Sequence, residues 1–175
     1  MPAPDKATLA RWRQDIRFNA MLREHTLTYT TTWGIFSPES IDAGTQLLLD
    51  LMDVPADADC LDIGCGYGPI GMTLAKLAPQ GQTLMVDKDF MAVEYANKNC
   101  ALNGISNAKA MLSNGLQHVP DGMTFDIIVS NLPAKASKEQ HYLFPSDSLA
   151  RLQPAGRFYV VTIHGFPHFM ARTTT

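Results

Sequence analysis

The sequence predicts an α/β fold, a mostly parallel sheet with helices on both faces. Three observations predict it. From residue 60 onward, short apolar segments alternate with stretches of helical length and pattern, as βαβ units do. The segments around Ile127-Ile128-Val129 and Val160-Val161 are near-continuously apolar, as strands buried on both faces require. A glycine-rich stretch, Gly64-Cys65-Gly66-Tyr67-Gly68, joins the first of these strands to the first of these helices.

The elements follow in order. Residues 6–24 have the composition of an amphipathic helix, and 27–32, with Thr28, Tyr29, Thr30, Thr31 and Thr32, read as a strand or hairpin arm. After a turn-like link over 33–38, Ser40 is expected to cap a helix over 41–52. Leu47, Leu48, Leu49, Leu51 and Met52 supply its apolar face. Strands are then expected at 60–63, 83–86, 108–112, 125–130 and 158–163. Helices are expected at 69–77, with Pro69 in the first turn, and at 90–102, stopped by Asn103-Gly104. A partly helical stretch at 138–152 is interrupted by Pro145, and Pro154-Ala155-Gly156 is expected to be a turn. Residues 1–39 thus form an N-terminal helix and strand extension, and 40–175 the main domain.

The chain has 175 residues, room for one domain. Hydrophobic residues make up 46% and charged residues 18%, an ordinary globular composition. No apolar run approaches the ~20 residues of a membrane helix, and residues 1–10 lack the core of a secretory signal; a cytoplasmic protein with no membrane partner is expected. The net charge of -3 excludes a globally basic surface. Arg11, Arg13, Arg17 and Arg23 offer a local basic patch, or a solvated helix face, which is the simpler reading. Cys60, Cys65 and Cys100 have no paired spacing. His164 and His168 are separated by Pro167, which spoils a shared helix face, so no metal site is expected.

The chemistry concentrates at Leu61-Asp62-Ile63-Gly64-Cys65-Gly66-Tyr67-Gly68. Glycines let the backbone take positive φ and let a ligand approach closely. The loop falls at the carboxyl end of a strand, where open α/β sheets bind ligands. Asp87 ends the next strand, and a carboxylate there can accept both hydroxyls of a ribose. The rival is a dinucleotide site, whose fingerprint is G-x-G-x-x-G. Here Pro69 stands in its last slot, so the close-packing third glycine is expected to be missing. Asn114-Gly115, after the third strand, is either an adenine contact or an ordinary turn.

On these residues the chain resembles class I S-adenosylmethionine-dependent methyltransferases, and more narrowly the catalytic domains of small-subunit ribosomal RNA guanine-N2 methyltransferases. Three segments carry the resemblance: Trp33-Gly34-Ile35-Phe36-Ser37 with Asp42-Ala43-Gly44-Thr45; the glycine-rich stretch; and Ser130-Asn131-Leu132-Pro133, similar to the family's SNPP. The resemblance implies a Rossmann-like class I methyltransferase sheet and S-adenosylmethionine as cofactor. Gly64, Cys65, Gly66 and Gly68 would carry its methionine end, with Asp62 orienting the amino group and Thr45 closing the floor. Asp87 and Lys88 would hold the ribose region, and Asn114 and Gly115 the adenine. Asn131, Leu132, Pro133 and Phe36 would form the acceptor side, with RNA, ribosomal and from the small subunit, as partner.

Two features depart from the family pattern. Leu132 stands where a proline is usual, and Ala134 where an aromatic or large apolar residue is usual. Leu132 keeps a carbonyl acceptor, and Pro133 still biases it towards extended backbone. After residue 163 twelve residues remain, so the C-terminal hairpin of the family's sheet is expected to be missing. The edge of the fifth strand is then expected to be exposed and to invite self-association. Three functions stay open: RNA guanine-N2 methylation, methylation of adenine N6 or of a protein glutamine amide, and an inactive cofactor-binding scaffold.

Overall fold

The computed structural model describes residues 3–132, 147–162 and 172–173. Helix α1 (Lys6–Trp12) precedes a hairpin of β1 (Ile16–Leu22) and β2 (His25–Thr31). Then come α2 (Ala43–Leu51), β3 (Cys60–Ile63), α3 (Pro69–Leu77), β4 (Thr83–Asp87), α4 (Phe90–Leu102), β5 (Ala108–Leu112), β6 (Phe125–Leu132), β7 (Leu152–Thr162) and β8 (Arg172–Thr173). The main sheet has the order β5-β4-β3-β6-β7-β8. All its neighbours are parallel except β7 and β8. The chain winds outward from β3 to β5 and then returns to β6 on the other side of β3. The carboxyl ends of β3 and β6 therefore flank the switch point, where such sheets hold ligands. Ile63 faces Val86 on one side and Ser130 on the other.

Each strand divides its side chains between two cores. Cys60, Met85, Ile127, Val129 and Tyr159 pack with α2, α3, α4 and the hairpin. Leu61, Ile63, Val86, Ile128, Phe158 and Val160 pack on the opposite face with Val119 and Leu116. Arg151 fastens the segment over that face by donating to Pro120 O at 2.7 Å. Among the described residues no helix is long and apolar enough to cross a membrane. Among the same residues no cluster of three or more His, Cys, Asp or Glu could hold a metal.

The N-terminus differs from the expected single helix over 6–24. After α1 the chain enters β1, and Arg23 and Glu24, both at positive φ, reverse it into β2. The deciding pattern has a period of two: Ile16, Phe18, Ala20 and Leu22 turn inward. The Phe18 ring packs tilted against Tyr29 and edge-to-face with Tyr67, centroids 5.4 and 6.1 Å apart, contacts that outweigh helix propensity. Amide side chains on α4 then satisfy the backbone edge of β2. Asn99 Oδ1 accepts from Thr30 N at 2.8 Å, and its Nδ2 donates to Thr30 O at 3.0 Å. Asn103, one turn on, does the same with Thr28.

Three further differences are local. Asp42, not Ser40, caps α2, accepting from Gly44 N and Thr45 N. The Ser40 carbonyl instead accepts from Ser37 Oγ and Tyr67 Oη. Pro154-Ala155-Gly156 lies within β7, where Ala155 takes a φ of 65° and the register against β6 shifts; the turn signal produces a bulge. The sheet also does not end at the fifth parallel strand. Arg172 and Thr173 pair antiparallel with Phe158 and Arg157, so a sixth, reversed strand is present. Of the stretch expected to be partly helical, 147–150 is helical, and 138–146 lies outside the described residues, as do His164 and His168.

Candidate active site

The glycine loop is bent onto the end of β4. Gly64 N and Cys65 N both donate to Val86 O, at 2.8 and 3.0 Å. Gly64 and Gly66 have φ of 76° and 56°, and a Cβ on either would project into open space. At these two positions no side chain stands between the backbone and the cavity, which is what a closely approaching ligand requires. Gly68, at φ 98°, turns the chain into α3 with Pro69 at its start. The close-packing glycine expected to be missing is present at Gly71, where a Cβ would overlap Met85 Cγ and Sδ. Helix α3 therefore lies directly on β4.

Two carboxylates hold this loop, in different ways. Asp62 is 1% exposed and does not line the cavity. Its Oδ2 accepts from Gly71 N at 2.9 Å, and its Oδ1 has no partner among the described residues. Burial, opposed by the Gly71 hydrogen bond and reinforced by the charge of Asp87, pushes its pKa up to about 7. Asp87 faces the cavity. Its Oδ2 accepts from Gly66 N and its Oδ1 from Asp89 N, each at 2.9 Å. A carboxylate oxygen has capacity for more than one donor, so Asp87 can also accept from ligand hydroxyls. Lys88 beside it lines the cavity, and Asp89 caps α4 through Met91 N.

The side of the cavity beyond β4 is made by a tight turn. Ser113 N donates to Asp87 O at 2.8 Å, and Ser113 Oγ donates to Gly115 O at 2.7 Å. Gly115 has a φ of 58°. Asn114 is exposed at the rim of the cavity.

The acceptor side is made by side chains. Asn131 Nδ2 donates to Asp42 Oδ1 at 3.0 Å, to Asp42 Oδ2 at 3.1 Å and to Thr45 Oγ1 at 3.1 Å. Thr45 Oγ1 donates to Asp42 Oδ2 at 2.7 Å. A carboxylate accepts and cannot donate, so it fixes the amide with nitrogen towards Asp42. The Asn131 Oδ1 is left for another donor, and no described residue donates to it. Gly44 makes room for this corner: a Cβ there would sit 3.1 Å from Asn131 Oδ1 and from Val161 Cγ1. Phe36, 56% exposed, stands on the rim. Leu132 ends β6 opposite Thr162; Pro133 and Ala134 lie outside the described residues.

One cavity of about 310 Å³ collects these groups, a size typical of small-molecule sites. Of the residues expected at the site, Gly64, Cys65, Gly66, Asp87, Lys88, Asn114, Gly115, Thr45, Phe36 and Asn131 line it, while Asp62 and Gly68 support it from behind. The sequence reading missed Asp42 and Tyr67. Tyr67 donates to Ser37 O at 3.1 Å and to Ser40 O at 3.2 Å, tying the Phe36 segment to the glycine loop. Asp42 was detectable as a helix cap before Gly44-Thr45; its contact with Asn131, 89 residues away, was not.

A cofactor of the S-adenosylmethionine type fits these residues. The open glycine loop suits its methionine end, Asp87 its ribose hydroxyls and the turn at Asn114-Gly115 its base. Comparison with known proteins agrees. The family model described as "Methyltransferase small domain" matches residues 26–171. The uncharacterized protein YbxB of Bacillus subtilis is 36% identical over 141 residues, 80% of this chain and 70% of that one. Ribosomal RNA small subunit methyltransferase C of Stutzerimonas stutzeri is 30% identical over 163 residues, covering 91% of this chain and 47% of the relative. The solved 16S rRNA N2 G1207 methyltransferase (RsmC) of T. thermophilus, in complex with AdoMet and guanosine, superposes with a TM-score of 0.76 at 26% identity. That superposition takes in 83% of this chain and 41% of RsmC, so the chain spans less than half of these two named enzymes. The chain belongs to the methyltransferase small domain family, a branch of the class I S-adenosylmethionine-dependent methyltransferases.

Proposed function

We propose that this chain transfers a methyl group from S-adenosylmethionine to an exocyclic amine of a base in RNA, guanine N2 of small-subunit ribosomal RNA, in the cytoplasm. The observation that carries the reading is the fixed orientation of Asn131. Its Nδ2 is held by Asp42 and Thr45, its Oδ1 accepts from no described residue, and the residue lines the cavity that Asp87 and the glycine loop share. S-adenosylmethionine, when bound, supplies an electrophilic methyl group on a positively charged sulfur. The chain's own task is to present a nitrogen lone pair to it. The lone pair of an exocyclic amine is delocalised into the base. Asn131 Oδ1 and the Leu132 carbonyl would each accept one N–H, which favours a pyramidal nitrogen. Orientation of this kind contributes several kcal/mol, and acceptors placed near the developing positive charge add to it. Gly64, Gly66, Asp87, Lys88, Asn114 and Gly115 would hold the cofactor, and Phe36 would lie against the base.

The names of the relatives support RNA as substrate class: one acts on small-subunit ribosomal RNA, and the solved structure holds guanosine. Transfer of tritiated methyl to total RNA and to total protein tests the reading. Label in small-subunit ribosomal RNA, recovered as N2-methylguanine, is expected. Label in adenine or in protein would replace the substrate, and no label despite cofactor binding would mean an inactive scaffold. The same reading includes self-association. β8 pairs with Arg157 and Phe158, and no described strand pairs with Val160 or Val161 on that side. A monodisperse monomer in sedimentation would sink that part.

A further inference from the structure

The reading above gives α1 and the outer face of the hairpin no role. Helix α1 buries none of its side chains, and seven residues are well below the ~12–15 that sustain a free helix in water. The hairpin packs one face through Phe18, Leu27 and Tyr29. Its other face carries exposed Arg17 and Asn19, opposite Thr30 and Thr28. With exposed Met21 on the same face, this is a mixed surface of polar side chains and one apolar one.

The arginines fall into two groups. Arg23 donates to Leu49 O and, at 2.7 Å, to Met52 O, closing the end of α2. Arg151 holds Pro120 O, and Arg157 pairs with Asp53 at 2.7 Å. The side chains of Arg11, Arg13 and Arg17, with that of Lys6, make no hydrogen bond or ion pair with any described residue. Nor is their charge offset locally. Residues 1–25 hold five bases and three acids, leaving nine bases against fourteen acids in the rest of the chain. Two of those three acids are occupied: Asp5 caps α1, and Asp15 accepts from Tyr95 Oη.

The surface also has a fixed place. The Asp15–Tyr95 hydrogen bond pins the junction of α1 and β1 to α4, whose Ala92 lines the cavity. Strand β2 leaves the hairpin at its Ile16–Thr31 end and runs through exposed Trp33 into Gly34, Ile35 and Phe36 of the cavity wall. Unpaired cations thus lead to the cavity along one continuous stretch of chain.

We propose that α1 and the outer face of the β1–β2 hairpin dock the RNA backbone that flanks the target base. Phosphates sit against Lys6, Arg11, Arg13 and Arg17, and exposed Trp12 offers a ring on which an unpaired base stacks. The proposal rests on RNA being the substrate. An acidic overall composition is compatible with it, because the cations are concentrated where the nucleic acid passes.

The test measures anisotropy of a labelled, mixed-sequence single-stranded RNA against salt, from about 50 to about 200 mM. It compares the wild type, the quadruple variant Lys6→Ala/Arg11→Ala/Arg13→Ala/Arg17→Ala, and the control Lys109→Ala on β5. Each phosphate contact on a single strand contributes about 0.7 to the slope of log K on log salt. The quadruple variant is expected to lose about 3 of that slope and more than about tenfold of the affinity at low salt. Calorimetric S-adenosylmethionine binding and the melting temperature should match the wild type, and the Lys109 variant should bind RNA normally. Unchanged RNA affinity and slope, in a wild type that methylates RNA, overturn the docking surface and leave the functional reading standing. A wild type that binds no RNA and labels protein overturns both.

Discussion

The two halves of the cavity are built by opposite means. On the cofactor side, the loop of Gly64 to Gly68 is shaped by backbone hydrogen bonds and by the absence of side chains, and its anchors Asp62 and Asp87 lie close in sequence. On the acceptor side, Asp42, Thr45 and Asn131 form a side-chain network that closes when α2 meets the end of β6. A backbone cradle tolerates variation at its neighbours and binds whatever shares the cofactor's shape. A side-chain network sets donor and acceptor polarity atom by atom, and on the proposed function it would select the group that is methylated. The two sides should therefore fail separately.

The largest effect tests that separation directly. Asn131→Ala should lower methyl transfer by about 100- to 1000-fold, the loss typical of removing one positioned polar group at a reacting centre. Calorimetric affinity for S-adenosylmethionine should stay at the wild-type value. If affinity fell in parallel, the division into halves would be wrong. Asp87→Ala should do the reverse, weakening cofactor binding by about 10- to 100-fold through loss of charged hydrogen bonds. Transfer measured at saturating cofactor should fall much less.

Between these lies packing. Gly71→Ala forces a methyl group into Met85, and overpacking of this kind costs about 1–3 kcal/mol. Chemical denaturation would show it as a lower midpoint; an unchanged midpoint would mean that α3 shifts freely on β4. Asp42→Asn probes how the amide of Asn131 is held. The new amide can donate as well as accept, so Asn131 loses its single orientation. Transfer should drop by about tenfold, the equivalent of one net hydrogen bond, with cofactor affinity kept. A drop in affinity instead would assign Asp42 to the cofactor side.

The last prediction concerns Asp62 and is read from pH dependence, not from rate. Its pKa rises from 3.8 unfolded to about 7 folded, so the native state binds the extra proton between those values. Stability from this group is complete below about pH 4 and is lost as pH rises through about 7. Asp62→Asn should abolish that decline, leaving a variant whose stability relative to the wild type improves from pH 5 to pH 8. Parallel pH profiles of the denaturation midpoint would show that Asp62 does not titrate in this range.

The same contrast explains what could be read in advance. Strand β3, helices α3 and α4 and strand β5 match their expected bounds, because Pro, Asn or Gly residues nearby punctuate their ends. The second arm of the N-terminal hairpin was read in advance, but the first was missed because Ile16, Phe18, Ala20 and Leu22 alternate within a stretch whose composition also suits a helix. Rings contributed by Tyr29 and Tyr67 settled the choice. The cap of α2 was misplaced by two residues, since Ser40 and Asp42 are both good caps and Tyr67 engages the Ser40 carbonyl. The glycine needed for close packing was sought at position 69 and found at Gly71, where the spacing between loop and helix differs from the dinucleotide pattern.

The sequence by itself determined the parallel sheet, the glycine-rich loop and the acid, Asp87, that lines the cavity beside it. Periodicity, positive-φ residues and strand ends are properties of neighbouring residues. Only the tertiary structure decided that Asp62 lies beneath the loop and not in the cavity, and that Asp42 turns the amide of Asn131. It also decided that α1 leaves its cations unpaired among the described residues. Each of these depends on which groups, distant along the chain, come within about 3 Å of one another, and local pattern carries no information about that distance.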